Sequence, residues 1–275
     1  MPDDAYSPPS PAISGTTRLI AVLGDPIAQV RAPALLNRLL ARLGADTVVV
    51  PVHVGADELG TVVQGLRAVR NVIGLLVTVP HKIDVLRHAS AVSPAASLAG
   101  SANALRREPG GSWHADNFDG AGFVSGLVAR GYPPAGRHVA LAGAGGAGAA
   151  IATALLSAGV ALLSVYDRDT GRMTAFVDRL ATTWPGRVQA VAVPGFAAAD
   201  IVVNATPLGL RAGDELPFDP AGLRPGALVA DIVMKPRHTR LLRVAGELGH
   251  PVQYGEPMLA HQIDMYRDYF GLDRP

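Results

Sequence analysis

Two spacings of apolar residues alternate along the first part of this chain. Short runs of consecutive Val, Ile and Leu indicate buried strands, and between them apolar residues three and four positions apart indicate amphipathic helices. Because the two kinds alternate through short connections, we expect a parallel sheet with helices on its faces. The pattern predicts strands over 18–24, 46–54 and 72–79, helices over 34–43 and 56–69, and a short helix after Pro80.

The pattern changes near residues 102–115, where Pro109-Gly110-Gly111 predicts the turn of a hairpin. A helix near 118–131 would then carry the chain to a second sheet. The second series begins at residue 137 with a strand, a Gly-rich turn, a helix and another strand. It continues with helices over 172–182, 238–248 and 256–270 and strands over 188–193, 199–205 and 227–233. The sequence therefore predicts two α/β domains.

The composition of the chain excludes several classes of protein and of binding partner. The chain has 275 residues, 49% of them hydrophobic, which suits about two well-developed domains. A net charge of +1 without a Lys/Arg cluster argues against nucleic acid, and the lack of cysteine excludes disulfides, thiol catalysis and Cys-ligated zinc. The Pro/Ser-rich segment 1–17 lacks a signal-peptide pattern and predicts a disordered tail, and no apolar run reaches the ~20 residues of a membrane span. We therefore expect a cytoplasmic protein without membrane contact.

The segment GAGGAG satisfies G-x-G-x-x-G at Gly143, Gly145 and Gly148. It follows an apolar strand and opens a helix, which is the context of dinucleotide-binding loops. The first glycine permits a tight turn, the second lets the backbone approach a pyrophosphate, and the third lets helix and strand pack closely. Because the helix N-terminus also favours phosphate, we expect a dinucleotide cofactor.

An acidic residue, Asp167, ends the next predicted strand 19 positions after Gly148. A carboxylate there accepts hydrogen bonds from the adenosine ribose hydroxyls and repels a 2′-phosphate, which favours NAD. Arg168 and Arg172 lie beside it, and an arginine at this place can instead pair with the 2′-phosphate of NADP. The segment leaves both cofactors open, with NAD slightly favoured.

A nicotinamide enzyme that acts on an alcohol or ketone needs a proton donor and acceptor beside the reacting carbon. Lys82 follows Pro80 at the end of the third predicted strand, and Asp119 lies at the predicted domain junction. A lysine oriented by a carboxylate can pass a proton to a ketone oxygen. From these residues alone, Lys82 is more ordinarily a surface lysine and His81 a bystander. The histidines show no metal-site spacing, so no metal is expected.

Short segments of the chain resemble, in order, motifs of the shikimate/quinate dehydrogenase family. One such motif is weak evidence, but six in the right order, spread over about residues 19–272, are specific. The resemblance favours a catalytic role for Lys82 over the surface interpretation. The segments are GLLVTVPHK, GSANAL, DNFDGAG, GAGGAG, NATPLGL and GEPMLAHQ.

The resemblance implies a substrate and catalytic domain over 18–118, completed by the C-terminal helix within 255–275, and a Rossmann-type NAD(P)-binding domain over 119–254. It implies an active site in the cleft between these domains, with Lys82 and Asp119 as the catalytic dyad. The expected substrate-binding residues are Thr78, Asn103, Gln262 and Arg31. The expected cofactor-binding residues are Gly143, Ala144, Gly145, Gly146, Ala147, Asp167, Arg168, Thr206, Ile232, Gly255 and Met258.

The chain departs from the family where typical members hold the substrate carboxylate. The two serines of that loop are Val30 and Ala32 here, and neither side chain can hydrogen-bond. Either Arg31 or Gln29 turns inward to bind a carboxylate, or the substrate lacks that carboxylate or carries a bulkier apolar group. Further pocket positions of the family are changed to Leu76, Ala104, Phe118 and Met234.

These observations predict an NAD(P)-dependent oxidoreductase of aromatic amino acid biosynthesis. It would interconvert 3-dehydroshikimate and shikimate or a closely related cyclic hydroxy acid. The alternatives are a quinate dehydrogenase and a catalytically weak ligand-binding or regulatory homologue, although a pure sensor would not need both Lys82 and Asp119. We expect a monomer or homodimer that binds small molecules.

Overall fold

The computed structural model describes residues 13–192 and 196–273. Most of the predicted tail, residues 1–12, and the last residue of the strand predicted over 188–193 lie outside this part. The remaining tail residues form a turn, in which the hydroxyls of Thr16 and Thr17 each donate to the Asp46 carboxylate at 2.6 Å. These two bonds tie the end of the predicted tail to the first sheet.

The described chain contains twelve strands and nine α-helices. The strands are β1 (Arg18–Gly24), β2 (Thr47–His53), β3 (Val72–Val77), β4 (Ala91–Val92), β5 (Ala104–Arg107), β6 (Trp113–Asp116), β7 (His138–Ala142), β8 (Leu162–Tyr166), β9 (Val188–Ala190), β10 (Ile201–Asn204), β11 (Leu228–Asp231) and β12 (Val252–Gln253). The helices are α1 (Ala32–Leu43), α2 (Leu59–Ala68), α3 (Pro94–Ala99), α4 (Asp119–Ala129), α5 (Gly146–Ser157), α6 (Thr170–Thr183), α7 (Arg240–Glu247), α8 (Glu256–Ala260) and α9 (Gln262–Phe270), with 3₁₀ helices at Asp84–His88 and Pro220–Gly222.

Contacts divide the chain into two compact units, each built on its own sheet. The first unit holds residues 13–92, 103–116 and 263–273, and the second holds 93–102, 117–192 and 196–262. Residues 93–102, 117–118 and 255–262 therefore group with the second unit, whereas the predicted ranges put them in the substrate domain. The reason is packing: α3 lies against α5, and α8 lies against α4.

The first unit has a six-stranded sheet in the order β2-β1-β3-β5-β6-β4. In this sheet β5 runs opposite to the others and forms the predicted hairpin with β6. Ile20, Leu23 and Leu75 are fully buried because both faces of the central strands are covered. A Cβ on Gly74 of β3 would overlap the ring of Phe270. The C-terminal helix α9 therefore packs directly on this sheet and completes the unit.

The second unit has a parallel six-stranded sheet in the order β12-β11-β10-β7-β8-β9. Side chains alternate along β7: Val139 and Leu141 face the core under α5 and α6, and Ala140 and Ala142 face the core under α7. Because the strands are parallel, their carboxyl ends lie along one edge. Ligands of doubly wound sheets bind at that edge.

The predicted α/β class is confirmed, with corrections to individual elements. β4, α3 and β12 were not predicted, because they are too short to show a periodic pattern. The single helix predicted over 256–270 was wrong, because the chain forms α8 and α9, separated at His261. No Gly or Pro lies between Met258 and Phe270, so helix propensity offers no sign of the break.

Candidate active site

Polar groups of the first unit meet at the carboxyl ends of β1 and β3. Thr78 directly follows β3, and its N–H donates to the Leu23 carbonyl of β1 at 2.9 Å. Gly24 ends β1, and a Cβ there would overlap the methyl group of Thr78. The glycine therefore lets Thr78 lie closely against β1, at the carboxyl ends of these parallel strands.

Lys82 lies in the turn that leads to the 3₁₀ helix and is half-buried. The residue before it, His81, is 1% exposed, and its Nε2 donates to the Val54 carbonyl at 2.7 Å. The Val54 N–H donates in turn to the Gly24 carbonyl at 3.2 Å. His81 thus links the ends of three parallel strands beside Lys82, a structural role that the bystander interpretation missed.

Asn103 lies directly before β5 and is buried. Its Nδ2 donates to the Tyr266 hydroxyl of α9 at 3.0 Å. Its N–H donates to the Asp116 carbonyl at 3.0 Å, and its carbonyl accepts the Val77 N–H at 2.8 Å. The amide is therefore fixed between the sheet and the C-terminal helix. Tyr266 belongs to none of the recognised motifs and was missed.

Asp119 is the first residue of α4 and is buried. Its Oδ1 lies 3.4 Å from Gln262 Nε2, and its N–H donates to Asn117 Oδ1 at 3.1 Å. Position 122 must be small, because a Cβ on Gly122 would overlap the Met258 carbonyl and lie 2.7 Å from Gln262 Cγ. The structure therefore brings two of the predicted residues, Asp119 and Gln262, together.

The Gly-rich loop joins β7 to α5. Gly143 has φ +104°, which disfavours other residues, and its Cβ would lie 2.8 Å from the Ala205 carbonyl. A Cβ on Gly148 would overlap the Gly143 carbonyl, whereas a Cβ on Gly145 would meet no described atom within 4 Å beyond its own chain neighbours. The first and third glycines thus serve packing, and the second leaves open space. The first residues of α5 are Gly146 and Ala147.

Asp167 follows β8 and is 5% exposed. Its Oδ2 accepts the Ala144 N–H at 2.7 Å, and its Oδ1 accepts the Asp169 N–H at 2.9 Å and an Arg172 N–H at 2.7 Å. Burial raises the pKa of Asp167, but these donors outweigh it and bring the pKa below the ordinary value of 3.8. Arg168 is exposed. One carboxylate therefore anchors the Gly-rich loop and holds one of the two arginines.

The other predicted cofactor-binding residues lie at the ends of β10, β11 and β12. The Thr206 N–H and hydroxyl donate to Asn204 Oδ1 at 3.0 and 2.7 Å, and the Ile232 N–H donates to the Asn204 carbonyl at 3.1 Å. A Cβ on Gly255 would lie 2.6 Å from the Ile232 carbonyl, and the Met258 N–H donates to the Gly255 carbonyl at 3.2 Å. These positions share the sheet edge with the Gly-rich loop.

Val30, in the loop before α1, and Ala32, the first residue of α1, replace the family's serines. Gln29 Nε2 donates to the Pro26 carbonyl at 2.6 Å, so this amide bonds within its own loop. Arg31 is the N-terminal capping residue of α1 and is exposed. Of the two side chains considered for a carboxylate, Gln29 is thus already engaged.

Other features of the second unit lie apart from these residues. A cavity of about 270 Å³ beside the loops after β10 and β11 is lined by residues such as Arg211, His238 and Arg240, and by none of the predicted site residues.

Within residues 13–192 and 196–273, no three acidic or imidazole side chains form a group that could hold a metal ion. No helix in the described part combines the length and apolar character needed to cross a membrane.

Known proteins resemble this chain over nearly its whole length. Residues 22–105 match the family model of the shikimate dehydrogenase substrate binding domain. A shikimate dehydrogenase (NADP(+)) of Rubrobacter xylanophilus is 40% identical over 269 residues, which are 96% of this chain and 94% of that protein. The chain belongs to the shikimate dehydrogenase family. It is therefore an oxidoreductase that acts on a CH–OH group with a nicotinamide cofactor.

Two solved structures share the fold of this shikimate dehydrogenase family member. A quinate dehydrogenase of Corynebacterium glutamicum in complex with NAD is 32% identical, with a TM-score of 0.81 over 94% of this chain and 95% of that one. A ligand-free 5-ketofructose reductase of Gluconobacter sp. strain CHM43 is 29% identical, with a TM-score of 0.80 over 92% of each chain. These likenesses confirm the predicted Rossmann-type fold.

Proposed function

We propose that this protein transfers hydride reversibly between a nicotinamide dinucleotide and a ring hydroxyl of shikimate or a closely related cyclic hydroxy acid. The observation that carries the proposal concerns Asn103 and Gln262, which match the family's hydroxyl-binding positions. Both side-chain amides are held in place by neighbouring side chains. Asn103 is held by Tyr266, Gln262 lies against Asp119, and all four residues are buried. Amides fixed in advance recognise specific hydroxyls at a small entropic cost.

The second unit suits the dinucleotide that the family uses. The open space at Gly145 and the N–H groups at the start of α5 form a cradle that a Cβ would fill. Asp167 marks the adenosine side of this cradle, at β8, which leaves the ends of β10 to β12 for the nicotinamide half. Thr206, Ile232, Gly255 and Met258 would hold that half. When bound, the cofactor supplies or accepts the hydride.

Lys82 is the proposed proton donor and acceptor at the substrate's reacting oxygen. In oxidation its neutral amine takes the hydroxyl proton as hydride leaves the carbon, and in reduction the ammonium returns a proton to the ketone oxygen. Asp119 is the proposed partner that orients the lysine side chain. The support for this pair is the match of both positions to the family's motifs.

Lys82→Met tests this role. We expect kcat to fall about 10²–10⁴-fold, because general acid–base catalysis contributes that much, while the dissociation constant for NADPH stays unchanged. Arg87→Met removes an exposed cation from the following 3₁₀ helix and should keep full activity. Wild-type turnover by Lys82→Met would overturn the proposed role. A wild-type protein that binds dinucleotide and turns over no substrate would favour the ligand-binding alternative.

A neutral ketose is the second candidate substrate, and the apolar loop favours it. Val30 and Ala32 cannot bond a carboxylate, and Gln29 bonds to Pro26 instead. A 5-ketofructose reductase is among the similar structures, and 5-ketofructose has no carboxylate. Initial rates of shikimate and quinate oxidation and of 5-ketofructose reduction separate the candidates. Turnover of the acids supports the first candidate, and turnover of the ketose alone supports the second.

NAD is the proposed preferred cofactor. The Asp167 carboxylate would repel a 2′-phosphate, and it pairs with Arg172 at 2.7 Å, which occupies one of the two arginines able to bind that phosphate. Arg168 is exposed and is the remaining cation beside the ribose position. The proposed preference therefore depends on the charge of Asp167.

A further inference from the structure

Two buried polar residues end neighbouring strands of the second sheet. Asn204 ends β10 and Asp231 ends β11, and they are paired in register. Their exposed fractions are 0% and 1%. Both lie at the carboxyl edge of the parallel sheet, where the proposed cofactor-binding residues gather.

The Asp231 carboxylate accepts hydrogen bonds from three directions. Its Oδ1 accepts from Asn204 Nδ2 at 3.1 Å and from the Val233 N–H at 3.0 Å. Its Oδ2 accepts from the Thr239 hydroxyl at 2.7 Å, and Thr239 is the N-cap of α7. The carboxylate therefore joins β10, the loop after β11 and the start of α7.

This cluster holds two loops that carry proposed cofactor-binding residues. Asn204 Oδ1 accepts from both the N–H and the hydroxyl of Thr206, and Asn204 Nδ2 also donates to the Leu208 carbonyl at 3.0 Å. Ile232 lies between Asp231 and Val233, which are joined by a hydrogen bond of the cluster, and its own N–H donates to the Asn204 carbonyl. The positions of Thr206 and Ile232 thus depend on Asp231 through one connected set of hydrogen bonds.

The charge of Asp231 opposes folding. Burial raises its pKa to about 6 against the lowering effect of its three donors. The folded-state pKa of Asp231 lies above the ordinary value of 3.8. The stability that this carboxyl group contributes is therefore fully present below pH 3.8 and is lost as the pH rises through about 6. A buried charge that destabilises the neutral-pH fold is typical of functional sites.

We propose that Asp231 is a positioning residue for dinucleotide binding, which in its ionised form fixes Thr206 and Ile232 through Asn204, Val233 and Thr239. This inference rests on the proposed function, because it takes those two residues as cofactor contacts. An ionised carboxylate accepts all three donors, whereas a protonated one brings an O–H into a cluster made of donors. Dinucleotide binding should therefore weaken as the pH falls through about 6.

The other titratable groups around the cluster differ from Asp231 in exposure. Asn204, Val233 and Thr239, which contact the carboxylate directly, do not titrate. The titratable and charged side chains over residues 205–216, over 232–239 and on α7 are Arg211, Asp214, Glu215, Lys235, Arg237, His238, Arg240, Arg243 and Glu247, all exposed except the half-buried Asp214. Asp214 titrates below its ordinary range, because backbone N–H groups of Arg211 and Gly209 lower its pKa. Asp231 is therefore the buried group of this cluster expected to change charge near pH 6, and loss of the pH dependence in Asp231→Asn separates its effect from that of the exposed His238.

Asp231→Asn tests the proposal, since it removes the charge and keeps the shape. We expect the NADH and NADPH dissociation constants at pH 7.5 to rise about tenfold, as for loss of hydrogen bonds to a charged group, while Tm stays equal or rises. The wild-type dissociation constants should increase on acidification through about pH 6, and the variant should lose this dependence. Asp200→Asn, at the opposite end of β10, is the matched control and should bind as the wild type does.

A second pair of variants guards against misfolding. Thr239→Val should weaken dinucleotide binding, and Thr239→Ser, which keeps the hydroxyl, should restore it. Equal affinity and an equal pH profile in Asp231→Asn and the wild type would overturn the positioning role. A binding defect that only follows a lower Tm would overturn it as well. If the wild type itself binds neither NADH nor NADPH, the proposed function fails instead, so the two failures are distinguishable.

Discussion

Asp167 connects three parts of the second unit through one carboxylate. It accepts hydrogen bonds from Ala144 in the Gly-rich loop, from the Asp169 backbone and from Arg172 on α6. The spacing between Asp167 and the glycines predicted that this carboxylate accepts hydrogen bonds from the ribose of the cofactor. Its hydrogen bonds to the Gly-rich loop and to α6 depend on how the chain folds, and sequence spacing does not predict them.

Asp167→Asn should shift the cofactor preference toward NADP. Without the carboxylate charge, Arg172 loses its ion-pair partner and a 2′-phosphate is no longer repelled. We expect the ratio of kcat/KM for NADP to that for NAD to rise about tenfold, measured by steady-state rates with each cofactor. Asp178→Asn, on the exposed side of α6, should leave the ratio unchanged. An unchanged ratio in Asp167→Asn would contradict selection by this residue.

The motifs identified candidate residues but not the residues that hold them. Lys82, Asn103 and Asp119 could be named from the sequence because each lies in a segment with a recognisable pattern. Tyr266 lies outside these segments, and the structural role of His81 does not follow from its motif, because their partners are distant along the chain: His81 bonds to Val54, and Tyr266 bonds to Asn103. Such pairings follow from strand register and helix docking, and one sequence gives no sign of them.

At the scale of elements, close approach of α4 and α8 brings Gln262 to Asp119. Gly122→Ala should destabilise the protein, because the new Cβ would overlap the Met258 carbonyl. This backbone atom belongs to the packed helix α8 and can move only slightly to make room. We expect a loss of about 1–3 kcal/mol in the free energy of unfolding, measured by urea denaturation.

Gly65→Ala on α2 is the matched control for this substitution. Beyond its chain neighbours and the backbone of its own helix, no described atom lies within 4 Å of a Cβ on Gly65, so only helix propensity changes. We expect a gain of about 0.5–1 kcal/mol, because alanine favours the helix. If both variants were equally stable, the close approach of α4 and α8 would be incorrect.

Elements were predictable in proportion to their length and burial. β1, β3 and α5 were found because long apolar runs and helical spacing are visible in the sequence. β4 and β12 have 2 residues each, and α3 has 6, so none shows a full period of its pattern. These elements exist because neighbouring strands and helices hold them, which is tertiary information.

Across the whole molecule, the proposed cofactor contacts all lie in the second unit. Gly145→Val should abolish stabilisation by dinucleotide without harming the free protein, because φ is −74° and the space is open. NADPH at about 100 times its Kd should raise the wild-type free energy of unfolding by about 2.7 kcal/mol, which appears as a higher Tm. The variant should lose this rise. Gly222→Val, also in open space, should keep it, and a full rise in Gly145→Val would place the binding site elsewhere.

We propose that the family's oxidoreductase chemistry operates here in a substrate pocket whose carboxylate-binding serines are replaced by Val30 and Ala32. The most direct test is kcat/KM for shikimate oxidation in the wild type and in Val30→Ser/Ala32→Ser. Because a carboxylate gains affinity from hydrogen-bond donors, we expect kcat/KM for shikimate to rise about tenfold in the double variant, with 5-ketofructose reduction not improved. Equal kcat/KM for shikimate in two well-folded proteins, or no NAD(P)-linked oxidation by either, would contradict it.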